Sequence, residues 1–101
     1  MIGRSDLVKK YEALAGTTGD ADFTNIQKAS EKEGKVRIKQ NHAVYAAMVE
    51  AMDQAVGTVI AELKASGKWD NAIIVFTSDN EGLSTSEGLP TSNLPLYGGK
   101  G

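Results

Sequence analysis

The sequence predicts an α/β fold in which a long helix packs on a mostly parallel sheet. Three observations carry this reading. Apolar residues recur at steps of four and three through 44–66, an unbroken apolar run fills 72–77, and only a short turn joins the two. Helix, short loop and buried strand make up the αβ half of an α/β unit.

The elements follow in order. "SDLVKKYEALAG" predicts a short helix with Ser5 as N-cap and Asp6 in the first turn. Leu7, Tyr11 and Leu14 share one face, and Gly16 stops the helix. Residues 16–41 have weak periodicity and are rich in Gly, Thr, Asp and Lys, which predicts a long surface connection with a helical turn around 24–31. A loop of that length in a compact domain points to function or to missing context.

The next helix has the strongest pattern. Tyr45, Val49, Met52, Val56, Val59 and Leu63 form one stripe, expected to be buried. Gly57, at a cost of about 1 kcal/mol relative to alanine, is expected to mark a close packing contact. Gly67 ends the helix, with Lys64 and Lys68 at its negative end. "KWDNA" is a turn. "AIIVFT" has the composition of a strand covered on both faces in a parallel sheet. The rest of the chain, punctuated by Gly, Pro, Ser and Asn, is a polar loop leaving the strand's carboxyl end, the edge at which α/β sheets bind ligands.

Composition narrows the function. The 101 residues suit one small domain, with 41% hydrophobic and 24% charged residues. Eleven basic and 13 acidic residues give a net charge of −2 with no basic run, which argues against a nucleic-acid partner. No cysteine is present, so disulfides, cysteinyl zinc sites and a cysteine nucleophile are excluded on this chain. No apolar run approaches the roughly 20 residues needed to cross a bilayer, and the first residues lack the apolar core of a signal peptide.

Several residues could carry chemistry. Asp79 and Asn80 put a carboxylate and a carboxamide side by side at the strand end. Such oxygens suit Ca²⁺ or Mg²⁺ rather than soft metals. The same "SDNEG" also suits a plain turn. Lys100 lies among glycines in "YGGKG", where it could meet an anionic substrate or belong to a polar tail. The glycine spacing is not that of a P-loop. His42, the single histidine, precedes the long helix and reads as a surface or capping residue. The Ser/Thr clusters at 84–86 and 91–92 lack a local base, which argues against a nucleophile.

Together these pieces resemble the sulfatase family, of the arylsulfatase type in the alkaline phosphatase superfamily. "VYAAMVEAMDQAVGTVIAELKASGKWDNAIIVFTSDNEG" followed by "LPTSNLPLYGGKG" resembles that family's aromatic-Ala helix with Met-Asp-x-x-Val-Gly, its Asp-Asn-x-Ile turn, its Thr-Ser-Asp-Asn-Gly-Gly strand end and its Gly-Lys-Gly loop. "IGRSDLVKKYEA" is similar to the segment after the family's His-Thr-Pro motif. The resemblance implies that Asp79 and Asn80 ligate a divalent cation, usually Ca²⁺ with Mg²⁺ possible, and that Lys100 contacts the sulfate and the developing leaving-group charge. It implies a sulfate-ester small molecule or a sulfated glycan as substrate.

The departures are specific. Glu81 stands where the family usually has glycine. The Cys/Ser-x-Pro-Ser-Arg motif that yields the formylglycine nucleophile does not occur, nor do the Asp-Asp metal ligands or the His-Thr-Pro histidine. The chain is therefore expected to be a partial catalytic domain, inactive alone, with the rest of the sulfatase domain absent. Residues 1–43 would supply a helix and long connection, and 44–101 the helix, strand and metal/sulfate loop. The alternatives are a phosphatase or phosphodiesterase relative in the same superfamily and a non-catalytic α/β remnant. The compartment is left open, although sulfatases of this type are commonly exported.

Overall fold

The computed structural model describes residues 3–17, 19–27, 33–80, 82–83 and 89–95. It contains α1 (Ser5–Ala15), β1 (Phe23–Gln27), β2 (Glu33–Arg37) and α2 (Ala43–Ala65), with short 3₁₀ turns at Asp20–Asp22 and Trp69–Asn71.

Helix α1 begins one residue earlier than its expected cap. Arg4, not Ser5, is the N-cap residue, and no side chain caps the helix. Arg4 instead pairs with Asp6 at 2.6 Å and reaches Gln54 of α2 at 2.8 Å. A guanidinium carries no acceptor, so Arg4 offers the first-turn N–H groups no cap and instead links the two helices. Gly16, at φ 66°, ends the helix as expected.

The two helices pack through a small seam. Leu7 and Ala47 are its buried apolar residues. Gly3 sits against it closely: a Cβ there would lie 2.9 Å from Val8 Cγ2 and 3.5 Å from Ala47 Cβ. Across the rim, Lys10 Nζ meets Glu50 Oε2 at 2.6 Å.

Helix α2 follows its sequence signals closely at both ends. His42 is the N-cap, and its Nδ1 accepts from the Tyr45 backbone N–H at 3.2 Å. At the other end Gly67 has φ 68°, Lys68 N bonds Leu63 O at 3.0 Å and Gly67 N bonds Lys64 O at 3.1 Å. These paired bonds make a Schellman motif, which needs a left-handed residue at the glycine position. Lys64 lies 4.7 Å from the centre of the Trp69 ring, a cation–π contact across the helix end.

The buried stripe expected on α2 is largely exposed. Val49, Met52 and Val59 are 44%, 47% and 60% exposed. Length explains the exposure of Val59. The 23 residues of α2 extend about 34 Å, whereas the 11 of α1 extend about 16 Å and cover only the first half. Gly57 makes no close contact either, since nothing lies within 4 Å of where its Cβ would be.

Residues 16–41 are not the featureless connection the composition suggested. Strands β1 and β2 pair antiparallel with Phe23 opposite Arg37 and Gln27 opposite Glu33. Over 24–27 a strand stands where a helical turn was expected, and the rest of that expected turn, 28–31, lies outside the described residues. The Arg37 guanidinium lies 4.7 Å from the Phe23 ring centre, so the cross-strand pair is also a cation–π pair. Such pairs can specify a ladder where apolar alternation is weak.

The apolar run also departs from expectation. After the 3₁₀ turn the backbone at Ala72 is extended, with φ −116° and ψ 140°. Residues 72–77 join no ladder, and the hairpin is the sheet found among the described residues. Ile73 is 94% exposed, with Val75 and Phe76 also exposed. A central parallel strand needs partners at both edges and cover on both faces. The described residues supply neither.

Candidate metal-binding turn

Asp79 and Asn80 form a bend directly after the apolar run, and both are exposed. Asn80 Nδ2 donates to Asp79 Oδ2 at 2.7 Å, and Ser78 Oγ donates to the Asn80 carbonyl. The two side chains therefore meet on this bend. The donor chemistry fits a hard cation: a carboxylate, with an amide oxygen that a turn of the carboxamide would present. The donor number does not complete a site. Calcium takes about 6–8 oxygens, and among the described residues no three His, Cys, Asp or Glu side chains come together as a metal group. Lys100 and Glu81 lie outside the described residues.

The loop beyond this turn is tied back to the first half of the chain. Asn93 Nδ2 donates to Gly82 O at 2.8 Å. A Cβ at Gly82 would fall 2.3 Å from Asn93 Oδ1, so this close approach requires glycine. Gln40 holds the next stretch: its Oε1 accepts from Thr91 Oγ1 at 3.0 Å and from Ser92 N at 3.2 Å, while its Nε2 donates to Ser92 O. Arg37 donates from Nε to the Leu89 carbonyl. Pro90, Thr91 and Ser92 are buried by these contacts.

Beneath them is a buried polar relay that the sequence did not reveal. Arg37 donates from Nη1 to Asn41 Oδ1, and Asn41 Nδ2 donates to Asp22 Oδ2 at 2.7 Å. Asp22 also accepts from Gly19 N at 3.0 Å and faces Lys39 at 3.4 Å. The Asn41 donation, then that of Gly19, holds the Asp22 carboxyl below its ordinary range. Asn41 reaches Asp22 across 19 positions of chain, so no local spacing announces the relay.

An open cleft of about 480 Å³ lies between the helices and Pro90-Thr91, lined in part by Tyr11, His42, Tyr45, Glu50 and Asp53. Lys10, then the Tyr11 phenol, hydrogen-bond Glu50 and hold its carboxyl low. Partial burial, then the charge of Arg37, pushes the His42 imidazole below its usual value. Tyr11 and Tyr45 had read only as members of apolar stripes. The cleft arises because α1 crosses the start of α2.

The sulfatase family model matches residues 5–101. This chain belongs to the sulfatase family. It is 44% identical over 64 residues to arylsulfatase J of Mus musculus, covering 63% of this chain and 10% of that protein. It is 28% identical over 95 residues to an arylsulfatase of Klebsiella aerogenes, covering 89% of this chain and 20% of that protein. A multifunctional alkaline phosphatase superfamily protein, PehA of Trinickia caryophylli, is 38% identical over 52 residues, covering 52% of this chain and 10% of that protein. The sulfatase chain thus spans a tenth to a fifth of the length of these relatives. Membership supports the α/β class, while the mostly parallel sheet is not formed among the described residues.

Proposed function

We propose that this chain carries part of the divalent-cation and sulfate side of a sulfuric ester hydrolase site. The observation that carries this reading is the meeting of Asp79 and Asn80 side chains at 2.7 Å on the bend after the apolar run, within a chain matched by the sulfatase model over 5–101.

In this reading Asp79 and Asn80 are two of the oxygen ligands of a Ca²⁺ or Mg²⁺ ion, and residues outside this chain complete the shell. When bound, the ion supplies positive charge against the sulfate oxygens. Lys100 places a compact ammonium near the bridging oxygen of the ester, where charge collects as the S–O bond breaks. Its flanking glycines let the backbone come close to the substrate. The remainder of a sulfatase domain supplies the nucleophile, because no Cys/Ser-x-Pro-Ser-Arg sequence occurs here. It also supplies the strands that turn residues 72–77 into a covered parallel strand. The isolated chain is inactive, and its substrates in the complete enzyme are aryl sulfates or sulfated sugars.

The test is a graft. Residues 44–101 replace the matching segment of the Klebsiella aerogenes arylsulfatase, and the hybrid is assayed with an aryl sulfate and an aryl phosphate. Sulfate hydrolysis that disappears with Asp79→Ala supports the reading. A folded hybrid that prefers the phosphate would assign the segment to the phosphoester branch of the superfamily. A folded hybrid as active with Asp79→Ala as without it would overturn the metal role.

A further inference from the structure

We propose that Gln40 is a positioning residue for the sulfate side of the site: its carboxamide clamps the backbone of Ser92 and so fixes where the chain leading to Lys100 starts. This inference rests on the reading of the chain as part of a sulfuric ester hydrolase site, and adds the group that sets the position of its lysine.

Segment 89–95 is poorly suited to a ladder. Pro90 and Pro95 carry no N–H to donate, and among the described residues no strand pairs with the segment. Yet Pro90, Thr91 and Ser92 are buried, and buried backbone groups need partners. Side chains supply them. Gln40 Oε1 accepts from Ser92 N at 3.2 Å, and Gln40 Nε2 donates to Ser92 O. One carboxamide thus meets both peptide groups of one residue, as a neighbouring strand would. The same Oε1 accepts from Thr91 Oγ1 at 3.0 Å.

The clamp is itself held. Lys39 and Asn41, on either side of Gln40, both reach the buried Asp22 carboxylate, at 3.4 Å and 2.7 Å. Beyond Ser92 the segment is pinned to the candidate metal-binding turn, where Asn93 Nδ2 donates to Gly82 O, two residues past Asn80. Twenty positions separate Asn80 from Lys100, and seven separate Asn93 from it. The local concentration of a tethered group falls roughly as the −3/2 power of tether length, so this pinning is worth about fivefold. Misplacing a reacting group by about 1 Å costs up to about 10²-fold. These two figures bracket the effect on rate expected of Gln40.

Two measurements test it. In the full chain, amide hydrogen exchange at Ser92 is compared for the native chain, Gln40→Ala and Gln54→Ala, since Gln54 is an exposed carboxamide on α2 that bonds Arg4 instead. Ser92 protection should fall about 2- to 10-fold in Gln40→Ala, the worth of one hydrogen bond, and stay native in Gln54→Ala. Unchanged protection in Gln40→Ala overturns the clamp. Residues 5–101 then replace the matching segment of the Klebsiella aerogenes arylsulfatase, and kcat is measured with the calcium concentration for half activity. Gln40→Ala should lower kcat about 5- to 100-fold and leave the calcium dependence in place. Gln40→Glu, of the same size, keeps the acceptor but sets an oxygen against the Ser92 carbonyl, and should lower kcat as well. A native kcat in Gln40→Glu overturns the two-point clamp. With Lys100→Ala already present, Gln40→Ala should cost nothing further, because both act on one group. Losses that multiply instead overturn the positioning role. If Lys100→Ala alone leaves kcat native, the reading of Lys100 falls and the positioning role with it, while the Ser92 exchange result still reports the clamp.

Discussion

Asn41 donates its side-chain amide to the Asp22 carboxylate at 2.7 Å, and so ties the residue before the hairpin to the residue before the His42 cap of α2. Both are buried. The same Asn41 accepts from Arg37, whose Nε holds the Leu89 carbonyl. One amide thus connects the hairpin, the start of α2 and the loop that follows the candidate site. Removing it as Asn41→Ala leaves two buried groups short of a partner. The expected loss is about 1–3 kcal/mol of stability, measured by urea unfolding. Asn41→Asp should also weaken the fold, because its carboxylate would face Asp22. An Asn41→Ala protein as stable as the native chain would remove the relay from the account.

Acid should weaken the same relay. The Asp22 pKa is lowered in the folded chain, first by Asn41 and then by the Gly19 N–H. A carboxyl of this kind contributes its stability fully above the unfolded value of about 3.9, and loses it as pH falls through the lower folded value. The unfolding midpoint should therefore drop below about pH 4, with a smaller drop in Asp22→Asn. Equal acid sensitivity of the two proteins would contradict the assignment.

His42 gives a second window at higher pH. Its Nδ1 must be unprotonated to accept from Tyr45 N, and burial followed by Arg37 lowers its pKa. The neutral form is favoured on folding, so this contribution is complete above about pH 6.5 and declines as pH falls towards the folded value. His42→Ala should cost about 0.5–1 kcal/mol, the lower part of the range for lost N-caps, and should remove the decline. His42→Ser should keep helix content while removing the pH dependence. A pH 5–7 slope that persists in His42→Ser would place its origin elsewhere.

Calcium should bind the isolated chain weakly. Asp79 and Asn80 offer few of the about 6–8 oxygens the ion wants. Calorimetry should show no tight site, and whatever heat remains should disappear in Asp79→Ala. Tight binding that survives Asp79→Ala would remove these residues from the metal reading.

Lys100 should matter to rate more than to metal. In the Klebsiella hybrid, Lys100→Ala is expected to lower kcat by about 10²–10³, the usual loss for one preorganised electrostatic contact. Arginine should restore little, because its planar fork does not replace a point charge in a tight site. An unchanged kcat with weaker metal affinity would make the Gly-Lys-Gly segment a hinge.

What the sequence alone determined is local. The 3.6-residue period placed α2 within a residue of its ends, and Gly16 and Gly67 marked both helix stops, because capping is decided by one or two residues and their φ. His42 was legible as a cap from its position. The order of motifs from Tyr45 to Lys100 was enough to find the family. Tertiary structure decided what each apolar face meets. Val59 and Ile73 have the right period for burial, yet burial needs a covering element, and α1 is too short for one while no strand flanks the other. The hairpin and the Asp22–Asn41–Arg37 relay were equally invisible to periodicity. They depend on polar side chains distant in sequence, whose hydrogen bonds exist only once the chain has brought them together.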